Sequence, residues 1–377
     1  MQSTIWDHIS RWAFPAFFFV ISLFGSIVTL DSLGVGIPWV IVTILVIIIL
    51  FLLALVFVFA RKKLEDPIDV LLFHFILPTD GIKPFYNLLI DSASKCLERL
   101  GDRKWFLVPR IPTNSFDKLD IWQKYDGVAA LKRITGGILL LADDPDENFD
   151  RIIASVENTE IPVVMVDVYF NPVGYDVRNR AKMPCFVGGN EVQGGQLAAE
   201  ILLERIKAAC AGREQETKII IIRGGNTAWE LQRIESFKKV VSETLGCAYV
   251  ETDFLFYQRD EAFEAVYRLL SSMNDEELGF CSGIFAANDD MAIGARNAVR
   301  EVSRTKGIAI NSWIVGYDGT PEMKRLIDRN DDYLAGTIDV KIKEQAETAI
   351  YVMKQLVEGN PPKDRVRLIN PRKYTKL

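Results

Sequence analysis

The chain has 377 residues, 49% hydrophobic and 25% charged, a composition that excludes a disordered protein. Its 44 lysines and arginines are outnumbered by 50 aspartates and glutamates. Only Asp7, Arg11 and Asp31 carry a formal charge before Arg61, so the remainder is net acidic and unsuited to a nucleic-acid surface.

The first predicted elements lie in that nearly uncharged leader. Residues 12–30 and 37–60 run without a formal charge for 19 and 24 residues. A bilayer core needs roughly 20 apolar residues in a helix that satisfies its own backbone groups, so each run is long enough to span. Two glycines and Pro38 in the connection favour a turn. The reading is a transmembrane hairpin over residues 1–66, with helices at about 12–30 and 37–60. A cleaved signal peptide fits less well, because the residues before Trp12 lack net positive charge and no small-x-small cleavage site follows. Arg11 precedes the first span and Arg61, Lys62 and Lys63 follow the second. The positive-inside bias then places both termini in the cytoplasm, on the inner membrane of a bacterium. Expected partners are the lipid bilayer, a small-molecule ligand and a second copy of the chain through the hairpin.

From Ile68 onward, strand-like and helix-period segments alternate. A strand at 69–75 leads to a helix opening near Phe85. Strands follow at 105–108, 137–141 and 162–167, then a helix at 191–207. Next come strand 218–222, helix 230–244, strand 248–252, helix 261–273, strand 283–286 and helix 289–303. Strands at 312–317 and 334–338 and a helix at 341–357 complete the series. Continuous Val/Ile/Leu runs indicate parallel strands covered on both faces, and the alternation indicates a doubly wound α/β fold. There are more strands than one open sheet needs, so two sheets are expected.

Ligands in such folds bind beyond the carboxyl ends of the strands. Those ends carry Phe85 and Tyr86, Asp167, Asn288 and Asp318. Carboxylates accept from hydroxyls and aromatic faces stack on C–H surfaces, a combination suited to a hydroxyl-rich ring. Each residue also has a structural reading: Asp167, Asp289 and Asp318 fit caps or turns, and Phe85 and Tyr86 fit a core. The loop Arg223–Trp229 joins a strand to a helix as phosphate-binding loops do, but lacks both glycine-rich fingerprints. Five scattered cysteines and two histidines, His8 and His74, give no disulfide framework, metal set or nucleophile–base pair. Neither an enzyme nor a cofactor is expected.

The stretches Phe285–Ala295 and Ile314–Pro321 carry the strongest likeness to a known family, supported by 135–140, 161–167, 187–195 and 233–237. Over about 68–362 the chain resembles the type I periplasmic binding proteins, nearest to the ribose-type branch shared with LacI-like repressors. The resemblance implies two Rossmann-like lobes hinged around a ligand. Lobe one would span about 67–188 and 341–362, and lobe two about 189–340 and 363–377, within a domain of 67–377. It also implies an aromatic grip by Phe85 and Tyr86, a lobe-one carboxylate at Asp167 and lobe-two contacts at Asn288 and Asp318. Tyr257 is a further aromatic candidate, and Trp229 offers another surface. Two arginines of the ribose-type pattern are replaced, by Val168 and Leu231, which removes forked donors and makes ribose itself doubtful. The functional expectation is a membrane-anchored sensor of a sugar-like ligand, signalling through the hairpin. The alternatives are a membrane effector gated by a nucleotide-like signal and a transporter-associated sugar-binding protein.

Overall fold

The computed structural model describes residues 70–76, 84–100, 104–110, 135–140, 162–167, 185–209, 217–245, 249–279 and 282–376. The predicted transmembrane hairpin lies outside these residues. Among the described residues, no helix is long and apolar enough to cross a membrane. Asp69–Leu377 forms one compact unit.

That unit contains two six-stranded sheets. The strands of the first are β1 (Val70–Ile76), β2 (Lys104–Arg110), β3 (Thr135–Leu140), β4 (Val163–Val166), β5 (Cys185–Gly189) and β11 (Val366–Ile369). Their spatial order is β11-β5-β4-β3-β1-β2, with every pair parallel. The second comprises β6 (Lys218–Ile222), β7 (Tyr249–Glu251), β8 (Ser282–Ala286), β9 (Ser312–Asp318), β10 (Leu334–Asp339) and β12 (Arg372–Thr375). Its order is β12-β10-β9-β8-β6-β7, parallel except for the antiparallel β10–β12 pair. The described helices are α1 (Pro84–Leu100), α2 (Glu191–Ala209), α3 (Ala228–Leu245), α4 (Arg259–Ser272), α5 (Asp275–Gly279), α6 (Asp289–Lys306), α7 (Pro321–Asp328) and α8 (Ile342–Val357).

The apolar runs behave as buried parallel strands. Every residue of β4 is buried, as is every residue of β6 after Lys218, because helices cover both faces. By contrast, β7 is an edge strand exposed throughout. Three strands were not anticipated. In β5, two glycines close a five-residue segment and weaken the strand signal. The other two, β11 and β12, are four-residue strands at sheet edges, and each carries basic residues as protected edges do. They also revise the expected division of the tail. Val366–Ile369 pairs with β5 in the first sheet, whereas Arg372–Thr375 pairs with β10 in the second. The segment after 363 therefore serves both lobes.

Close helix contact depends on Gly195. A Cβ there would collide with the Arg233 carbonyl and the Ser236 hydroxyl, because α2 and α3 meet backbone to backbone at that point. Gly195→Ala is expected to cost about 1–3 kcal/mol through overpacking, read as a lower urea midpoint with an unchanged slope. An unshifted midpoint would mean that the two helices separate freely.

Candidate functional site

Parallel pairing aligns the carboxyl ends of β1 and β4 along one edge of the first sheet, and those of β6, β8 and β9 along one edge of the second. Asp167 directly follows β4, and Asp318 ends β9. Both stand at positive φ, 68° and 114°, backbone conformations unusual for a residue with a side chain. Asp167 donates its N–H to the Val187 carbonyl at 2.8 Å, and the Asp318 carbonyl accepts from Val340 N–H at 3.4 Å. The backbones are thus anchored. Each residue is half-buried, and neither carboxylate has a side-chain hydrogen bond among the described residues. Strain of this kind costs of order 1–3 kcal/mol and is typically retained where a side chain must be aimed.

The two aspartates come from different sheets yet feel each other electrostatically. Burial pushes Asp167 up to about 7; the negative Glu191 adds to the rise and Arg233 opposes it. Burial also lifts Asp318 well above the carboxylate range, reinforced by Asp289, Asp167 and Glu191 and again opposed by Arg233. The positions of their partners explain why one arginine cannot neutralise this group. Arg233 directs Nε to Glu191 Oε2 at 2.8 Å and NH1 to the Ala287 carbonyl. Its guanidinium lies 3.4 Å from the Tyr317 ring centroid and 4.9 Å from that of Trp229. The Tyr317 hydroxyl donates to the same Glu191 oxygen at 2.8 Å. Burial works against the charge of Arg233, but Glu191 more than offsets it and holds the arginine above its ordinary range.

The aromatic candidates of the second sheet are adjacent. Trp229 opens α3 and stacks on Tyr257, with centroids 5.4 Å apart and planes at 22°. Phe256 and Tyr257 take positive φ, 49° and 59°, and the Tyr257 ring fills the space beside Gly224. The Tyr257 hydroxyl donates to Glu230. Burial, reinforced by that carboxylate, holds the phenol protonated. Glu230 is fully buried and also accepts from Gly224 N–H at 3.1 Å, Gly225 N–H at 2.8 Å and Arg223 Nε at 3.1 Å. The anion nest of the Arg223–Trp229 loop is therefore occupied by a carboxylate of its own helix. This removes the support that the loop lent to a phosphate ligand.

Asn288 is buried and caps α6: its Oδ1 accepts from Met291 N–H at 2.8 Å, while Nδ2 reaches the Tyr257 carbonyl at 3.4 Å. The residue expected as a ligand contact thus serves as a helix cap, and its amide also fastens the Tyr257 loop to the end of β8. Asp289 is structural in a comparable way. Its carboxylate accepts from Thr320 N–H and the Thr337 hydroxyl, both at 2.6 Å, tying α6 to β10. Phe85 and Tyr86 meet edge to face at the start of α1, 5.7 Å between centroids, half-buried against the core. They belong to the helix that follows β1 in the chain. A cavity of about 590 Å³ opens beside Gly319, bordered by Leu88 of α1, Lys324, Asp339, Lys341 and Arg372. Asp339 is held ionised there despite burial, by Lys324 first and then Arg372.

Sequence reasoning missed Arg233, Glu191, Glu230 and Tyr317. A usable signal existed in α3, where Glu230, Arg233, Ile234, Phe237 and Val241 form one buried stripe at helical spacing. Charged residues within an apolar stripe require partners, and here Arg233 pairs with Glu191 and Glu230 with Arg223.

Two sheets whose strand ends face each other around shared carboxylates define a two-lobed binding fold. Residues 75–361 match the periplasmic binding protein domain, and the chain belongs to that family. Among curated relatives, the ribose import binding protein of Escherichia coli K12 is 25% identical over 290 residues, 74% of this chain and 85% of that protein. The D-apiose import binding protein of Actinobacillus succinogenes is 22% identical over 295 residues, covering 76% and 83%. Among solved structures, a periplasmic solute-binding protein of an ABC transporter from A. succinogenes with bound D-allose superposes with a TM-score of 0.65 at 18% identity, covering 81% of this chain and 98% of that one. A solute-binding protein from Bacillus halodurans with bound myo-inositol also gives 0.65 at 18% identity, covering 82% and 96%. At these identities the structural likeness establishes the fold.

Proposed function

We propose that this chain is a solute-binding protein that takes a small polyhydroxylated, sugar-like ligand between its two lobes. The observation that carries this reading is the pair Asp167 and Asp318, one from each sheet, aimed past the strand ends with no ion pair among the described residues. Trp229 and Tyr257 supply a stacked aromatic surface on the second sheet, and Phe85 and Tyr86 an aromatic pair on the helix that follows β1. The import binding proteins among its relatives support a solute-binding rather than a catalytic role. Lobe closure requires only that the ligand bind the closed state better than the open one.

Isothermal titration of the full chain in detergent with a sugar panel tests this. Hydrogen bonds to a charged group contribute about 1.5–3 kcal/mol, so Asp167→Ala is expected to weaken binding roughly 10–100-fold. Binding that is unaffected by this change places the ligand elsewhere.

The uncharged runs at 12–30 and 37–60 support anchoring in a bacterial inner membrane, with Arg61, Lys62 and Lys63 placing the binding domain in the cytoplasm. In that arrangement the domain is a sensor and the hairpin its output, alone or within a homo-oligomer. The import roles of the relatives favour a second arrangement, a transporter-associated protein with the domain outside. A reporter fused after Leu377 separates the two: cytoplasmic signal supports the sensor, and periplasmic signal ends that reading.

A further inference from the structure

We infer that the solute carries a positive charge, an amine-bearing polyol of the amino-sugar or aminocyclitol class, with its cationic nitrogen seated against Asp167 and Asp318. This rests on the interlobe cleft proposed above and narrows what occupies it.

The first argument is charge balance. Four carboxylates, Asp167, Glu191, Asp289 and Asp318, share the floor of the cleft. Among the described residues one cation, Arg233, faces Asp167, and the same arginine opposes the charge of Asp318. It is fully engaged. Glu191 takes Nε and NH2 at 2.8 Å, Ala287 takes NH1, and the Tyr317 ring covers a face. Asp289 has its own donors in Thr320 and Thr337. Among the described residues, neither the Asp167 nor the Asp318 carboxylate has an ion pair or a side-chain hydrogen bond. Beyond Gly319, Asp339 is a fifth carboxylate, and its partners Lys324 and Arg372 are committed to it.

The second argument is independent of that cluster. Gln345, fully buried in the first turn of α8, uses Nε2 on the Val340 carbonyl and leaves Oε1 without a donor. Gly189 lies against both Gln345 and Glu191, so this orphan stands where the chain crosses between sheets. A buried acceptor without a donor is uncommon and calls for explanation. The unpaired polar atoms here, on Asp167, Asp318 and Gln345, are all acceptors. A neutral sugar offers donors and acceptors alike, whereas an ammonium offers three donors and a charge. The raised proton affinities of Asp167 and Asp318 are those of carboxylates lacking such a cation.

The test titrates the full chain in detergent with matched pairs, D-glucosamine against D-glucose and D-galactosamine against D-galactose. Titrations are run at mildly acidic pH in two buffers of different ionisation enthalpy. Each amine is expected to bind at least about tenfold tighter than its hydroxyl partner, with protons released as the cation lowers the aspartate proton affinities. Asp318→Asn should reduce both the preference and the release, with its melting curve reporting that it folds. Equal or tighter binding of the neutral members, with proton uptake, overturns the charged ligand. If Asp167→Asn weakens that neutral binding, the sugar cleft itself stands. Failure of all four compounds to bind overturns both readings.

Discussion

Arg233→Met is expected to destabilise the binding domain by about 3–5 kcal/mol, the largest effect of any single substitution considered. Arg233 and Glu191 are 4% and 6% exposed, so removing the guanidinium leaves a buried carboxylate with no cation. The Ala287 carbonyl at the end of β8 loses its donor, and the Tyr317 and Trp229 rings lose the plate between them. Methionine matches the length of the aliphatic stem, so the cost reports the electrostatic and hydrogen-bonding loss more than a cavity. Arg233→Lys should recover only part of it, since one ammonium cannot serve Glu191 and Ala287 in the forked geometry. Urea unfolding of the full chain provides the measurement. A loss below about 1 kcal/mol would falsify the view that this pair is the strut beneath the cleft.

Asp167→Asn is expected to act in the opposite direction on stability while weakening binding. Asp167 has a folded value of about 7 against an ordinary carboxylate value of 3.8. A raised value means that the folded state holds the proton more firmly. The stabilisation is complete below about pH 4 and is lost as pH rises through about 7. The wild-type domain should therefore lose stability relative to the variant between these limits. Near pH 8 Asp167→Asn should be the more stable protein, and near pH 4 the two should converge. Asp289, also pushed up to about 7 by burial, adds a wild-type slope that the variant retains, so the difference between the two proteins is the diagnostic quantity. A variant that is less stable at alkaline pH, or that keeps the full slope, removes the claim that Asp167 is held at a cost for the sake of ligand. Stability sacrificed at a binding residue is the usual direction of this exchange.

Much of the architecture was legible in the chain because buried parallel strands read as continuous apolar runs. Strand 218–222 was located to the residue, and β8, β9 and β10 to within one or two. Two edge strands were not legible: Val366–Ile369 and Arg372–Thr375 owe their pairing to strands far away in the sequence, not to their own composition. The same distinction runs through the site. Asp167 and Asp318 could be picked out because strand ends are where α/β folds place ligands. Asn288 was read from the sequence only as a ligand contact, and the capping bond to Met291 ties its Oδ1 to the start of α6. The Arg223–Trp229 loop looked like an anion site for a sound local reason. Its occupant, Glu230, lies only one residue beyond it, but which side chain fills a nest depends on how the helix turns over the loop.

The sequence by itself determined the binding-protein family, the alternation of strands and helices and the strand-end positions of the two aspartates. These follow from local periodicity and from short motifs, each contained within a few consecutive residues. Only the tertiary structure decided that Arg233 belongs to Glu191, that Glu230 closes the phosphate-like loop and that the Asp167 and Asp318 carboxylates have no ion pair among the described residues. Whether a buried charge is satisfied depends on partners from other elements, such as Glu191 and Arg233, 42 residues apart and joined across two helices. Local composition carries no record of that distance in space.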